Sequence, residues 1–442
     1  MTAPLAVLGE TPAGAPDVGE PLPHVVAWNL TRRCNLQCAH CYIAAGPDRE
    51  AGDELTTAEC RRIMDEILQV NPSPMFILSG GEPLLREDLP TLVRHAVAGG
   101  ATVVVGTNGT LLTETKIEEL KAAGVTGMAV SVESLNPKYH DRFRRGHGSL
   151  DATLSAITRL VSHRLDFVIQ TTLTRGNRDE LEALVAWAAE QGAVSFNAYF
   201  LVSTGRALGM EPLTPADREA LLEQLVDLHT TYLGRMMVRA KCAPQFMRLV
   251  HERAPSSPVL QYATRCPCGV QYCRITPDGE LTACPYLPVS VGSLREQSFG
   301  TLWREAALFR DLRAGSPGGK CGRCGYREMC GGCRAGAYAT DGTWLGEDPS
   351  CAYEPVGKET LVARPPAVRY GAQVRPGLTW TPEAEARIQR IPSFVRGVIV
   401  ERLESYARRE GYAEVTVELM RRVRRTMPID FSQRMPFFLR DD

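Results

Sequence analysis

Cysteine spacing is the first sign of chemistry in this sequence. Cys34, Cys38 and Cys41 occupy eight positions of TRRCNLQCAHCY, and eight more of the 14 cysteines fall at ligand-like spacing between residues 266 and 351. Thiolate sulfur is a soft donor that suits iron–sulfur clusters or zinc. Three thiolates can hold three irons of a [4Fe–4S] cubane, whose fourth iron then needs a ligand from outside the motif. A closed zinc site would need one more protein ligand, and His40 is the near candidate.

The rest of the chain narrows the setting. With 50 Lys+Arg against 51 Asp+Glu in 442 residues, no global field draws the protein to nucleic acid or an anionic membrane, so neither is an expected partner. The N-terminal stretch MTAPLAVLGETPAGAPDVGE lacks the basic and apolar regions of a secretory signal, and no run of about 18 apolar residues follows that could span a membrane. A cytoplasmic protein is expected. Clustered cysteines in a reducing compartment point to metal or redox chemistry more than to disulfides.

Stepping from these residues to what must hold them, short apolar runs at 24–30, 75–79, 102–106, 126–132, 166–173 and 194–201 read as strands separated by helical patterns. In LTTAECRRIMDEILQV, Thr56 and Glu59 stand at capping-box distance, and Ile63, Ile67 and Leu68 share one face. Six β/α units with right-handed crossovers predict an α/β fold, a partial (β/α)6 TIM-like barrel over residues 22–210 with an open lateral cleft. The three cysteines lie in the loop after the first strand, at the carboxyl end where parallel sheets place their chemistry. Bridging helices are expected at 211–260, a Cys-rich domain at 261–355, a Pro/Gly linker at 356–376 and a small all-α domain at 377–442, with residues 1–21 disordered.

The cysteine motif resembles that of the radical S-adenosylmethionine (SAM) superfamily. The resemblance implies that Cys34, Cys38 and Cys41 hold a [4Fe–4S] cluster while the nitrogen and carboxylate of SAM chelate its open iron. It continues at SGGEP, where Gly80 and Gly81 follow a strand and Glu82 suits the methionine ammonium. Further strand ends supply Thr107 and Asn108 from GTNGT, and Ser131 and Glu133 from SVES; the family more often carries Asp where Glu133 stands. His40 is placed against the adenine, Arg144 or Arg145 toward the SAM carboxylate, and Gln170 and the segment Ser203 to Ala207 around the adenosine. Such enzymes pass one electron into SAM, and the 5′-deoxyadenosyl radical takes a hydrogen atom from unactivated carbon. An electron donor such as ferredoxin or flavodoxin is implied.

The second cysteine set resembles the SPASM auxiliary-cluster domain. Its hallmark reads here as Gly279-x4-Cys284, then Cys321-x2-Cys324-x5-Cys330-x2-Cys333, then Cys351. Two auxiliary [4Fe–4S] clusters are implied with interleaved ligands: Cys321, Cys324, Cys330 and Cys351 for one, Cys266, Cys273, Cys284 and Cys333 for the other. Cys268 competes with Cys266 for its place. Cys60 and Cys242 fit no set and read as small buried hydrophobes.

The stretch QYCRITPDGELTACPYLP resembles the radical SAM enzymes of alternative haem and dioxo-haem biosynthesis, which act on tetrapyrrole side chains. The tail, with Trp380, Pro382, Ala384 and RIPSFVR, resembles the helical domain at the end of a light-independent protochlorophyllide reductase subunit, and its Arg421, Arg422, Arg424 and Arg425 could pair with propionates. Hydrogen abstraction from a haem- or sirohaem-type side chain is therefore the leading expectation. A maturase forming thioether or carbon crosslinks in a ribosomally made peptide is the second, and a non-catalytic Fe–S electron-transfer protein the third.

Overall fold

The computed structural model describes residues 21–257, 259–260, 265–357, 359–362, 377–389, 391 and 393–425. The segment expected to be disordered up to residue 20, most of the expected linker, and residues 426–442 lie outside the described residues.

Alternating strands and helices build the first part. β1 (Val25–Asn29), α1 (Thr57–Val70), β2 (Met75–Ser79), α2 (Leu89–Ala98), β3 (Thr102–Thr107), α3 (Glu114–Ala122), β4 (Gly127–Ser131), α4 (Pro137–Arg144), α5 (Ser149–Ser162), β5 (Asp166–Leu173), α6 (Leu181–Glu190) and β6 (Ser195–Phe200) follow in order. The six strands pair in parallel, each with its predecessor. Local chemistry sets the boundaries: the Thr56 hydroxyl accepts from Glu59 N at 3.2 Å and Glu59 Oε2 accepts from Thr56 N at 2.7 Å, which starts α1 with a reciprocal cap.

The alternation then continues one unit beyond the six expected. α7 (Pro215–Thr231) returns the chain to β7 (Met237–Lys241), which is parallel to β6 and is followed by α8 (Gln245–Arg253). Its sequence MVRAK hides the strand, because only Val238 is fully buried and Arg239 and Lys241 sit on the other face.

The Cys-rich region has no separate sheet. β8 (Tyr272–Ile275) pairs in parallel with β1, and β9 (Glu280–Cys284) and β10 (Leu287–Ser293) extend that edge antiparallel. One ten-stranded sheet results, in the order β10-β9-β8-β1-β2-β3-β4-β5-β6-β7. α9 (Phe299–Glu305), α10 (Ala307–Ala314), α11 (Gly319–Arg323) and α12 (Arg334–Asp341) complete this half. A continuous core joins the halves, with Trp28 and Phe76 in the same apolar cluster as Phe299 and Trp303.

The tail has its own core around Trp380, Leu403 and Val415. It consists of β11 (Thr379–Trp380), α13 (Pro382–Gln389), α14 (Ser393–Arg409), β12 (Glu414–Val415) and α15 (Val417–Arg425), so a two-residue parallel strand pair joins the three expected helices. Ser393 Oγ shares a 2.8 Å hydrogen bond with His24 Nδ1 and accepts from Asn71 Nδ2 at 3.2 Å, while Arg396 Nη2 donates to Ser73 Oγ at 2.6 Å. These partners precede β1 and β2. The tail therefore docks at the amino ends of the strands, on the face opposite the cysteine loop, which is a poor station for Arg421 and Arg422 to reach a substrate there. Among the described residues no helix is long and apolar enough to cross a membrane.

Candidate active site and auxiliary cysteine sites

The cysteine loop leaves β1 and is clamped by the turn after β2. Gly81 N donates to Thr31 O at 2.7 Å and Glu82 N to Arg33 O at 2.9 Å. A Cβ on Gly81 would stand 2.1 Å from Arg33 O, so the close approach that this glycine permits is between two backbones of the chain itself. Gly80, with φ +144°, makes the same kind of contact to Thr31. From the other side Arg206 Nε donates to Cys38 O at 2.8 Å, a contact that a lone arginine in STGRA does not announce in sequence.

Two buried carboxylates face this loop. Glu82 is fully buried; its Oε1 accepts from Thr107 Oγ1 at 2.8 Å and Leu84 N at 3.1 Å, and its Oε2 accepts from Asn108 N at 2.9 Å. It thus ties the second strand end to the third, with one lone pair of Oε2 left for a ligand ammonium. Burial raises its pKa against these hydrogen bonds. Glu133 accepts from Arg144 Nη2 at 2.5 Å and from Thr172 N at 2.6 Å. The two residues expected on separate parts of SAM are instead each other's ion-pair partners. Burial raises Glu133 despite Arg144, and Arg144 stands above its ordinary value because Glu133 and Cys38 outweigh its own burial.

His40 stacks on Phe143 with ring centroids 4.7 Å apart. Burial, and then the charges of Arg144 and Arg206, hold its pKa well below 6.5, which favours the neutral ring. Ser131 and Gln170 pair in register on the interior face, where Gln170 Nε2 donates to Tyr199 at 3.4 Å.

The donor set around the loop fits a cluster with an added ligand. Cys34 Sγ accepts from Leu36 N at 3.4 Å, Cys41 Sγ from Ala45 N at 3.4 Å and Cys38 Sγ from Arg144 Nη1 at 3.8 Å. Hydrogen bonds of this kind favour thiolate ligands. Four buried nitrogens beside them, Arg33 Nε, His40 Nδ1, Arg144 Nε and Arg206 Nη2, have no hydrogen-bond partner among the described residues. Buried donors left unpaired in a native fold call for a missing acceptor, and a nucleotide with a carboxylate offers several.

The auxiliary cysteines form two groups. Cys321, Cys324, Cys330 and Cys351 line one small cavity, together with Arg248 and Tyr353. In the second group Cys266 and Cys268 have sulfurs 3.3 Å apart, and Cys268 also bonds Cys284. Cys333 lies near Cys266 and Cys284, and so does Cys242, which directly follows β7 in the left-handed region with φ 58°. Here the expectation for Cys273 is corrected. Its register partner on β1 is Val26, so it points to the outer, helix-covered face, where its one charged neighbour is Arg313. Cys268, beside Cys266 and Cys284, lies in the second group in its stead, and Cys242 lies near that group.

Asp348, fully buried, bridges the two groups. Its Oδ2 accepts from Cys333 N at 2.7 Å and Gln245 Nε2 at 2.8 Å, while its own N–H donates to Cys321 Sγ at 3.3 Å. Among the described residues no three His, Cys, Asp or Glu side chains converge as they would on a single metal ion.

Comparison with known proteins shows the family. The radical SAM superfamily profile matches residues 28–188, an iron–sulfur cluster-binding (SPASM) domain matches 266–334, and the proto-chlorophyllide reductase 57 kD subunit family matches 380–424. The chain belongs to the radical SAM superfamily and carries the auxiliary-cluster module; it uses SAM by reductive cleavage. It is 38% identical over 343 residues to an AdoMet-dependent heme synthase of Methanosarcina barkeri, an alignment covering 75% of this chain and 97% of that relative. It is 31% identical to the mycofactocin maturase MftC of Mycolicibacterium smegmatis, over 74% of this chain and 82% of that one. The fold matches Streptococcus suis SuiB bound to S-adenosylmethionine with a TM-score of 0.62 at 18% identity, over 75% of this chain and 78% of SuiB.

Proposed function

We propose that this enzyme removes a hydrogen atom from a carboxylate-bearing side chain of a tetrapyrrole in haem formation. The observation that carries the reading is the 38% identity spanning 97% of an AdoMet-dependent heme synthase, and the basic residues that face the barrel interior are consistent with an anionic substrate. When bound and reduced, the cluster and SAM supply the hydrogen-abstracting radical.

The chain's own residues do the rest. Cys34, Cys38 and Cys41 hold the cluster, with the Arg144 guanidinium next to Cys38 Sγ. Glu82 receives the SAM ammonium, and the unpaired nitrogens of Arg206 and Arg144 receive its carboxylate or ribose oxygens. Neutral His40 stacks against the adenine, and Thr107, Asn108, Ser131, Glu133 and Gln170 shape the nucleotide pocket. Cys321, Cys324, Cys330 and Cys351 hold one auxiliary cluster, and Cys266, Cys268, Cys284 and Cys333 the other. Ferredoxin or flavodoxin serves as electron donor.

A peptide substrate is the second reading, supported by the 31% identity to a mycofactocin maturase. Anaerobic incubation of reconstituted, reduced enzyme with SAM and a panel of iron porphyrins, sirohaem derivatives and peptides separates the two by product mass. A porphyrin product lighter by carboxyl units supports the first reading; modification of peptide alone sinks it.

A further inference from the structure

The interior face of the curled sheet carries cations without acidic partners. Arg274 lies on β8 in register with Ala27 and is only 6% exposed. Its Nε donates to Asn29 Oδ1 at 2.7 Å, and Asn29 Nδ2 donates to the Tyr42 hydroxyl at 2.8 Å, which fixes the guanidinium inside the barrel just below the cysteine loop. The titratable groups around it are Tyr42, Tyr272, Arg32 and Cys284, with no carboxylate among them. Lys241 lies at the end of β7 in register with Tyr199, whose hydroxyl meets Gln170 in the interior. Its neighbours are Arg239 and Cys242, neither of them an acid.

These two positions face the same space. Tyr42 and Tyr286 have ring centroids 5.2 Å apart, and the Tyr199 phenol interacts with those of Tyr42, Tyr272 and Tyr286. Tyr199 of β6 therefore lies near the phenols beside Arg274, and Lys241 is its register partner on β7.

A buried or half-buried cation with no acid beside it is costly, and an arriving anion offsets that cost. Arginine's planar fork matches a carboxylate through two parallel hydrogen bonds, and a lysine adds a point charge that can meet a second one. Resting on the tetrapyrrole reading above, we propose that Arg274 and Lys241 anchor two carboxylate side chains of the substrate, holding the ring inside the curled sheet between β8 and β7 with one edge toward the cysteine loop.

The test uses the reconstituted holoenzyme, without reductant, titrated with an iron porphyrin bearing four propionates and followed by its absorption band. The tetramethyl ester of the same porphyrin is titrated in parallel. The expected result is tenfold or weaker binding of the ester by the native enzyme, and a similar loss of acid binding in Arg274→Gln and Lys241→Met, with iron content unchanged. Equal binding of acid and ester by native enzyme overturns the anchor while the tetrapyrrole reading stands, and this comparison does not depend on how the variants fold. Unchanged acid binding in both variants overturns it likewise. Native enzyme that binds neither porphyrin but binds a peptide overturns the reading and the anchor together.

Discussion

Arg144 and Glu133 form a buried ion pair at 2.5 Å, and the same guanidinium reaches the sulfur of Cys38 at 3.8 Å. A charge on the fourth strand end is thus wired to a proposed cluster ligand through one side chain. Removing the arginine strands a buried carboxylate, which costs about 3–5 kcal/mol in comparable settings. Arg144→Met is expected to lower the melting temperature and to shift the midpoint potential of the SAM-site cluster, whereas Glu133→Gln, which keeps a hydrogen-bond acceptor, shifts both less. Identical potentials in native and Arg144→Met enzyme would contradict the wiring.

Cys268 and Cys273 make a discriminating pair. Cys268→Ala is expected to lose about four irons, one cubane's worth. Cys273→Ala should keep the full iron content and lose about 1–2 kcal/mol of stability, since it empties a small apolar space on the helix-covered face. Iron analysis with electron paramagnetic resonance reads the difference, and the opposite pattern would restore the spacing-based assignment.

Asp348 holds one group of each auxiliary set, through its carboxylate to Cys333 N and its own N–H to Cys321 Sγ. In Asp348→Ala the carboxylate's bonds to Cys333 and Gln245 disappear together while the N–H to Cys321 Sγ remains, so the auxiliary cluster of the Cys333 set is expected to load incompletely. Asp348→Asn retains an acceptor and should load more fully. Loss confined to the SAM-site cluster would refute this bridging role.

His140 is expected to make the fold sensitive to acid. Glu133 N donates to its Nδ1 at 3.3 Å, and burial, followed by Arg144, lowers its pKa from 6.5 to about 3. The unfolded chain takes up a proton near 6.5 and the folded one does not until about 3, so stability is lost as pH falls through that window and is flat above it. The expected loss is about 2 kcal/mol between pH 6.5 and 5. Unfolding of His140→Gln should show a smaller decline over the same range; parallel curves would rule His140 out as the cause.

The tail has a core of its own and meets the barrel at His24, Asn71 and Ser73. A chain ending at residue 362 is expected to retain its iron and its uncoupled SAM cleavage. Loss of that cleavage would place the tail in the catalytic unit.

What the sequence disclosed and what it concealed follow from range of interaction. The six apolar strands, the Thr56 cap and the Cys34, Cys38, Cys41 loop depend on neighbours a few positions away, so their pattern is local. β7 was hidden because its interior face carries Arg239 and Lys241, which look like solvent residues until the barrel curls around them. Cys273 sits at good ligand spacing, and only the pairing of β8 with β1 turns it outward. The Glu133–Arg144 pair and the bridge at Asp348 join residues whose proximity comes from tertiary folding, so no spacing rule could have shown them.

Because β8 hydrogen-bonds directly to β1, the loop that carries Cys34 and the strands that lead to Cys284 belong to one continuous sheet. Electron tunnelling between metal centres falls off steeply with separation, and here that separation is set by main-chain ladder bonds rather than by a hinge. Long-range electron passage within this enzyme should therefore be insensitive to solvent viscosity, in contrast to carriers whose redox domains must swing to meet.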